Sequence, residues 1–261
     1  MSKTNELLRQ MMDDPSVELL RPVRKTVLLP QPDGSIVRQF TDKAGNVTED
    51  AISATAPLPW ADEHDGRFLR ESKYIDFSAP IVIEKAHTLF CNIFDDIQKT
   101  RIAYEFVRDN IQHSFDINAK IITTKASDVL LHSTGICHAK ANLLAALLRS
   151  QAIPSGFCFQ RVTRLGDDSK GYCVHCYNAI WLDGHWIKLD ARGNTNGKNA
   201  QFSLGEPILA FPCRPQYQEY FLPGIYAEPH AETMSVLERA TSLQDVLENL
   251  PDAVSEPPDV P

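Results

Sequence analysis

Several features that would place this chain in a specialised class are missing. No apolar run approaches the ~20 residues of a membrane span, and the first ten residues hold no apolar stretch of the length that a signal peptide needs. The 26 lysines and arginines are outnumbered by 34 acidic residues, giving a net charge of −8, and they form no basic stripe. These absences disfavour membrane insertion, secretion and nucleic-acid binding, and we expect a cytoplasmic protein.

Cysteine is also scarce, with six residues in 261. That number is too small for a disulfide scaffold, so a specialised cysteine in a reducing compartment would be a metal ligand or a nucleophile. A zinc site could be assembled from Cys137, His138, Cys173, His175 and Cys176. However, Cys173 and Cys176 point to opposite faces of a regular strand, and no second Cys-x-x-Cys exists. We therefore expect no metal and no cofactor.

What is present is the composition of a folded protein, with 43% hydrophobic and 23% charged residues. We divide the chain into an N-terminal extension at 1–69, a core at 70–230, and a C-terminal helix with a mobile acidic tail at 231–261. The extension is expected to hold a short helix at 1–14, a β-hairpin or meander between 24 and 46, and a loop after it.

Apolar periodicity and turn signals predict the elements of the core. Helices come first and antiparallel strands follow, which is an α+β order. Residues 203–230 look irregular, and Met234–Leu250 is predicted to form one closing helix. The predicted helices cover 80–97, 102–113 and 136–151, with a short turn at 127–131, and the predicted strands cover 157–162, 173–182 and 185–189.

Cys137 differs from the other five cysteines because it lies in the first turn of the best-predicted helix. The unpaired N–H groups and the dipole at a helix N-terminus favour the thiolate, which is the nucleophilic form. A buried structural cysteine is nevertheless the commoner outcome, so a partner base is needed. His138 and Lys140 flank Cys137 and are interpreted as a polar face of the helix.

The residue pairing of the predicted hairpin indicates a candidate partner for Cys137. If Asp183-Gly184 forms a two-residue turn, side-chain alternation places His175 and Asp190 on one face of the hairpin as diagonal neighbours. We expect a hydrogen bond between them, and we expect the helix that carries Cys137 to pack against this face. The pairing predicted for the hairpin runs from Tyr177 with Asp190 to Leu182 with His185.

These motifs resemble the transglutaminase-like superfamily, which is a papain-like group. The resemblance rests on Gly135-Ile136-Cys137, Val174-His175 and Trp186–Asp190, spans roughly 70–225, and is most specific between 126 and 195. It implies a papain-like α+β core in which a helix carrying the nucleophile Cys137 packs on an antiparallel sheet carrying the base His175 and its orienting partner Asp190.

The resemblance also implies acyl transfer. The substrate would be a peptide, a protein or a small amide of the glutamine type, and the Cys137 acyl-enzyme would be resolved by water or by an amine acceptor. Acyl transfer from a thioester donor is an alternative, although Ser133-Thr134-Gly135 stands where arylamine N-acetyltransferases have Arg-Gly-Gly. A papain-like binding module without catalysis is the other alternative.

Four further residues are candidates for contact with the substrate. Tyr177 and Trp186 share the His175 face, where Tyr177 could instead shield the hydrogen bond between His175 and Asp190. Trp186 could instead form a cross-strand pair with its neighbour on the hairpin. Arg192 and Asn194 follow in a loop and could bind a carboxylate or an amide.

Overall fold

The computed structural model describes residues 66–255 and 257–260, and the backbone of three strands nearer the N-terminus. The predicted helix at 1–14 and most of the predicted loop at 49–66 lie outside the described residues. Among the described helices, none has both the length and the apolar character that crossing a membrane requires.

The chain divides into two compact units. One unit is made of residues 1–58 with 91–93, and the other contains the rest. The first unit holds a three-stranded antiparallel sheet in the order β1-β2-β3, as the meander prediction anticipated. The domain boundaries drawn from the sequence stay predictions. The strands are β1 (Lys25–Pro30), β2 (Ile36–Thr41) and β3 (Val47–Ala51).

The second unit begins with two helices where the sequence suggested one continuous helix across 80–97. The first helix ends at Phe90, and Asn92 takes a positive φ of 63°. The Asp95 side chain then accepts a hydrogen bond from the Gln98 N–H at 2.7 Å, which caps a new helix. The helices of this part are α1 (Pro80–Phe90), α2 (Asp96–Asn110) and α3 (Ala126–His132).

A short parallel pairing leads into the central helix. Strand β4 (Gln112–His113) follows α2 and pairs with β5 (Thr134–Gly135), which directly precedes α4 (Cys137–Arg149). Helix α4 is buried on all sides, as expected for a helix inside a core rather than on its surface.

The main sheet is antiparallel, with the strand order β8-β7-β6-β9. The predicted hairpin register is confirmed from Asn178 with Leu189 to Leu182 with His185. The predicted pair of Tyr177 with Asp190 is not formed, because the second strand of the hairpin ends at Leu189. Asp183 and Gly184 both have positive φ, 48° and 82°, as a two-residue hairpin turn requires. The strands are β6 (Ser155–Thr163), β7 (Tyr172–Leu182), β8 (His185–Leu189) and β9 (Tyr220–Phe221).

The sheet has two packed faces, and α4 covers the face opposite His175. Val174, Cys176 and Ile180 belong to the same core cluster as the leucines of α4. Tyr177, on the His175 face, packs instead in a second cluster around Phe68. The expectation that α4 packs against the His175 face is therefore wrong. The apolar side chains of β7 that contact α4 lie on the opposite face of the strand from His175.

The C-terminal segment also differs from the prediction of one helix. Helix α5 (Ala231–Arg239) is separated from α6 (Leu243–Asn249) by a break at which Ser242 caps α6 through the Asp245 N–H. The tail expected to be mobile makes specific contacts within its described part. Asp259 accepts a hydrogen bond from the Ala227 N–H at 2.7 Å, and Val260 forms a β-bridge with Ile225.

Candidate active site

Cys137 is the first residue of α4, and the backbone before it is tightly fitted. A Cβ atom at Gly135 would lie 3.1 Å from Ala139 Cβ and from Thr123 Oγ1, so only glycine fits there without displacement. Because α4 begins at Cys137, its N–H has no acceptor within the helix. The Cys137 side chain is partly exposed at the end of an otherwise buried helix.

The His175 ring and the Cys176 backbone N–H both lie where they can donate a hydrogen bond to the Cys137 sulfur. Residues 172–177 of β7 extend beyond the last pair with β8, so this part of β7 has no β8 partner. Burial raises the pKa of Cys137, but the charge of His175 and these two hydrogen bonds outweigh it and hold the pKa below its ordinary value. These interactions therefore shift the equilibrium of Cys137 towards its thiolate.

His175 and Asp190 form the hydrogen bond that the predicted hairpin register indicated. His175 Nε2 lies 2.8 Å from Asp190 Oδ2, and both side chains are buried. This bond leaves Nδ1 as the ring nitrogen for Cys137. Burial lowers the pKa of His175, but the charges of Asp190 and Cys137 and their hydrogen bonds raise it to about 10. The raised pKa of His175 and the lowered pKa of Cys137 both favour an imidazolium beside a thiolate.

Asp190 is held in place by backbone donors. Its Oδ1 accepts the Arg192 N–H at 3.0 Å, and its Oδ2 accepts the Ala210 N–H at 2.9 Å. Burial raises the pKa of Asp190, but the charge of His175, its hydrogen bond and the two N–H donors hold the pKa below its ordinary value. The carboxylate stays charged without direct contact with solvent.

Two aromatic rings enclose the imidazole. Phe211 meets His175 in an edge-to-face arrangement with ring centroids 4.8 Å apart. Tyr177 stacks beside His175 at 6.3 Å and is 1% exposed. Tyr177 therefore sits where it shields the hydrogen bond between His175 and Asp190, and its burial leaves no surface for a substrate.

The other three candidates for substrate contact have protein partners. Arg192 is buried, and its guanidinium binds the Asp116 carboxylate, with one N–O distance of 2.8 Å. The Asn194 side-chain amide donates from Nδ2 to the Ala200 carbonyl and accepts the Ala200 N–H at Oδ1. These contacts give Arg192 and Asn194 a role in shaping the loop after Asp190.

Trp186 is the candidate whose contacts leave part of its ring accessible. It packs edge-to-face on Trp181 at 5.4 Å and on Phe68 at 4.9 Å. These are the cross-strand and core contacts expected for a structural residue of the hairpin. A contact between Trp186 and substrate stays a prediction.

The polar residues after Cys137 are not a solvent-facing stripe. His138 is 1% exposed and donates from Nε2 to the Val174 carbonyl at 3.0 Å, and burial lowers its pKa to about 3. Lys140 is 0% exposed and donates to the carbonyls of Ile111 and Arg108 near the end of α2. Burial lowers the pKa of Lys140 to about 7. Both residues tie α4 to its neighbours.

Sequence reasoning missed several residues of the site. Phe211 and the Ala210 N–H come from an irregular segment with no motif, so no local signal pointed to them. His113 was missed too: it is buried beside the site, and burial and Arg192 hold its pKa well below the ordinary value. Its pairing with Gly135, two residues before Cys137, follows from the β4–β5 contact, which the sequence did not suggest.

A metal centre is not formed by the residues that the structure describes. Within 66–255 and 257–260, no three or more histidine, cysteine or acidic side chains come together as metal ligands would. Cys176 is buried in the main core cluster, whereas Cys173 packs in a separate cluster beside Ile136. The two residues of the Cys-x-x-Cys therefore face different surroundings.

A comparison with known protein families agrees with the motifs. Residues 86–191 match the family model of the transglutaminase-like superfamily. One similar solved structure is a protein from Cytophaga hutchinsonii provisionally described as a cysteine protease, with 19% identity and a TM-score of 0.39. That match covers 66% of this chain and 62% of the other protein, so this chain spans less than two thirds of its length. No curated protein sequence matches.

Proposed function

We propose that this protein is a thiol-dependent acyl-transfer enzyme that acts on amides of the peptide or glutamine type, since residues 86–191 match the family model of the transglutaminase-like superfamily. The observation that carries the proposal is the alignment of the Cys137 sulfur with the His175 ring, which is itself hydrogen-bonded to Asp190 through Nε2 at 2.8 Å. In this proposal the three side chains act as nucleophile, acid and base, and orienting carboxylate.

In the first half-reaction the Cys137 thiolate attacks the amide carbonyl carbon. A C–S bond forms while the carbonyl π electrons move to oxygen, and the Cys137 N–H at the start of α4 is available to that oxyanion. His175 then gives its Nδ1 proton to the amide nitrogen as the C–N bond breaks. The amine leaves and a thioester remains on Cys137.

In the second half-reaction water or an amine attacks the thioester. His175, now neutral, accepts the proton of the attacking group, the C–S bond breaks, and the thiolate and imidazolium are restored. Asp190 holds the Nε2–H throughout, which keeps Nδ1 aimed at the sulfur. Hydrolysis and transamidation therefore share all steps except the identity of the acceptor.

Product analysis tests the proposal. Glutamine-containing peptides are incubated with the protein, with and without a primary amine, and the products are analysed by mass spectrometry. Cleaved or deamidated peptide indicates water as the acceptor, whereas an amine adduct indicates transamidation. No difference from a Cys137→Ser sample across a diverse peptide set would contradict the proposal.

Selective alkylation of Cys137 is the first prediction. Iodoacetamide near pH 6 should label Cys137 at least tenfold faster than any other cysteine, because only its pKa is lowered among the cysteines whose pKa is shifted. Cys158 and Cys176 are buried, and burial raises the pKa of both. Peptide mapping by mass spectrometry measures the rates. Equal labelling of Cys158 or Cys213 would refute the assignment.

The pH dependence of kcat/KM is the second prediction. The reactive pair needs a thiolate and an imidazolium, so the rate should fall in acid as Cys137 gains a proton. It should fall again near pH 10, where His175 loses its proton. The acid limb should lie below the ordinary thiol pKa of 9.0, because the pKa of Cys137 is lowered. An alkaline limb near the ordinary histidine pKa of 6.5 would show that His175 is not stabilised as an imidazolium.

A further inference from the structure

Lys198 lies beside the candidate site on a turn that follows the matched domain. The turn is closed by a hydrogen bond from the Lys198 N–H to the Thr195 carbonyl at 3.2 Å, with Asn196 and Gly197 at positive φ. Thr195 Oγ1 and the Asn196 amide both donate to Asp116. The turn is thus anchored to the carboxylate that also binds Arg192, and Lys198 has a defined position.

The Lys198 ammonium rests on the ring that covers His175. Its Nζ lies 5.2 Å from the centroid of the Phe211 ring, and the same ring meets His175 at 4.8 Å. One aromatic side chain therefore separates this cation from the imidazole. The Lys198 side chain is partly exposed, so a bound substrate could reach its ammonium.

Among the described residues, no carboxylate or hydrogen-bond acceptor pairs with the Lys198 ammonium. The nearby carboxylate, Asp116, is already engaged by Arg192, Thr195 and Asn196. Partial burial and the charge of Arg192 lower the pKa of Lys198, and Asp116 offsets this only in part. An anion beside Lys198 would offset both the partial burial of its ammonium and the repulsion by the Arg192 charge.

We propose that Lys198 binds a carboxylate of the substrate next to the scissile amide, and so gives the site a preference for acidic amide substrates. The inference rests on the proposed function of Cys137. A monovalent carboxylate fits because Lys198 offers a single compact charge, whereas Arg192, the fork-shaped donor suited to phosphate, is occupied. The carboxylate can belong to an acidic side chain or to a peptide C-terminus.

A pair of alkylating reagents tests the inference without a known substrate. Iodoacetate and iodoacetamide both transfer a carbon to the Cys137 thiolate with loss of iodide, but only iodoacetate carries a carboxylate. The ratio of their rates, iodoacetate over iodoacetamide, should fall about five- to tenfold in Lys198→Met at low ionic strength. It should fall further in Lys198→Glu. The difference between variants should shrink in 1 M salt, where the screening length is only about 3 Å.

Lys85→Met is the matched control, because the Lys85 ammonium also lies over a phenylalanine ring, 4.9 Å from the Phe106 centroid. Its rate ratio should equal that of the wild type. A ratio unchanged in both Lys198 variants would overturn the inference. Failure of the proposed function looks different: both reagents would label Cys137 slowly, while their ratio would still depend on Lys198.

Peptide turnover then distinguishes the two sources of the carboxylate. Matched peptides carry glutamate or glutamine beside the scissile amide, or end in a free carboxylate or an amide. The wild type should favour the member with the recognised carboxylate about tenfold in kcat/KM, and Lys198→Met should remove that preference. Equal preference in both proteins for every pair would contradict recognition by Lys198.

Discussion

Replacing His175 with alanine is expected to lower kcat/KM for amide turnover by about five to six orders of magnitude, the scale seen when the base of a hydrolytic triad is removed. The same change should raise the pKa of Cys137, because the charge and the hydrogen bond that favour its thiolate are lost. Steady-state kinetics measures the first effect, and the pH dependence of thiolate ultraviolet absorbance measures the second.

His185→Ala makes the same chemical change on the exposed hairpin and serves as the control. It should leave both measurements close to those of the wild type. A His175→Ala protein that keeps its fold by circular dichroism and retains activity within about tenfold would remove His175 from the mechanism. A Cys137 pKa that does not move would show that another group activates the thiol.

Asp190→Asn is the second change with a large expected effect, a loss of up to about four orders of magnitude in rate. The asparagine is nearly isosteric, and its carbonyl can still accept one of the backbone N–H groups, so the fold should persist. It cannot act as a charged acceptor for the His175 Nε2–H. Without the Asp190 charge, the pKa of His175 should fall from about 10, and the alkaline limb of the pH profile should move towards neutrality.

Asp183→Asn is the matched control, because Asp183 lies in the hairpin turn at positive φ, which asparagine also adopts. Asp183→Asn should keep the rate and the pH profile of the wild type, whereas Asp190→Asn should change both. If Asp190→Asn lost no more than a few-fold in rate, the carboxylate would be a structural residue that anchors the Arg192 and Ala210 N–H groups.

The contact between His175 and Asp190 could be predicted because it depends on short-range geometry. A two-residue turn fixes the register of a hairpin, and the alternation of strand side chains then fixes which residues share a face. The hydrogen bond of 2.8 Å between His175 and Asp190 follows from these two rules. The start of α4 at Cys137 was likewise marked by local signals, with the predicted and observed starts one residue apart.

Long-range features could not be predicted from such rules. The sequence does not say which face of a sheet a helix will cover, and α4 covers the face opposite His175. Lys140 looked like a surface residue because its type is rarely buried, yet it donates to the Ile111 carbonyl deep in the core. Phe211 lies 36 residues beyond His175 in an irregular segment, where neither periodicity nor spacing constrains position.

Because Ala210 and Phe211 belong to the candidate site, this site extends beyond the part of the chain that matches the family model. The family match ends at residue 191, directly after Asp190. A fragment cut there would contain Cys137, His175 and Asp190, but it would lose the Ala210 N–H that binds the Asp190 carboxylate and the Phe211 ring that covers the imidazole. Water could then compete for the bond between His175 and Asp190. Any shortened version of this protein that keeps the candidate site intact must therefore extend at least through the segment that contains Phe211.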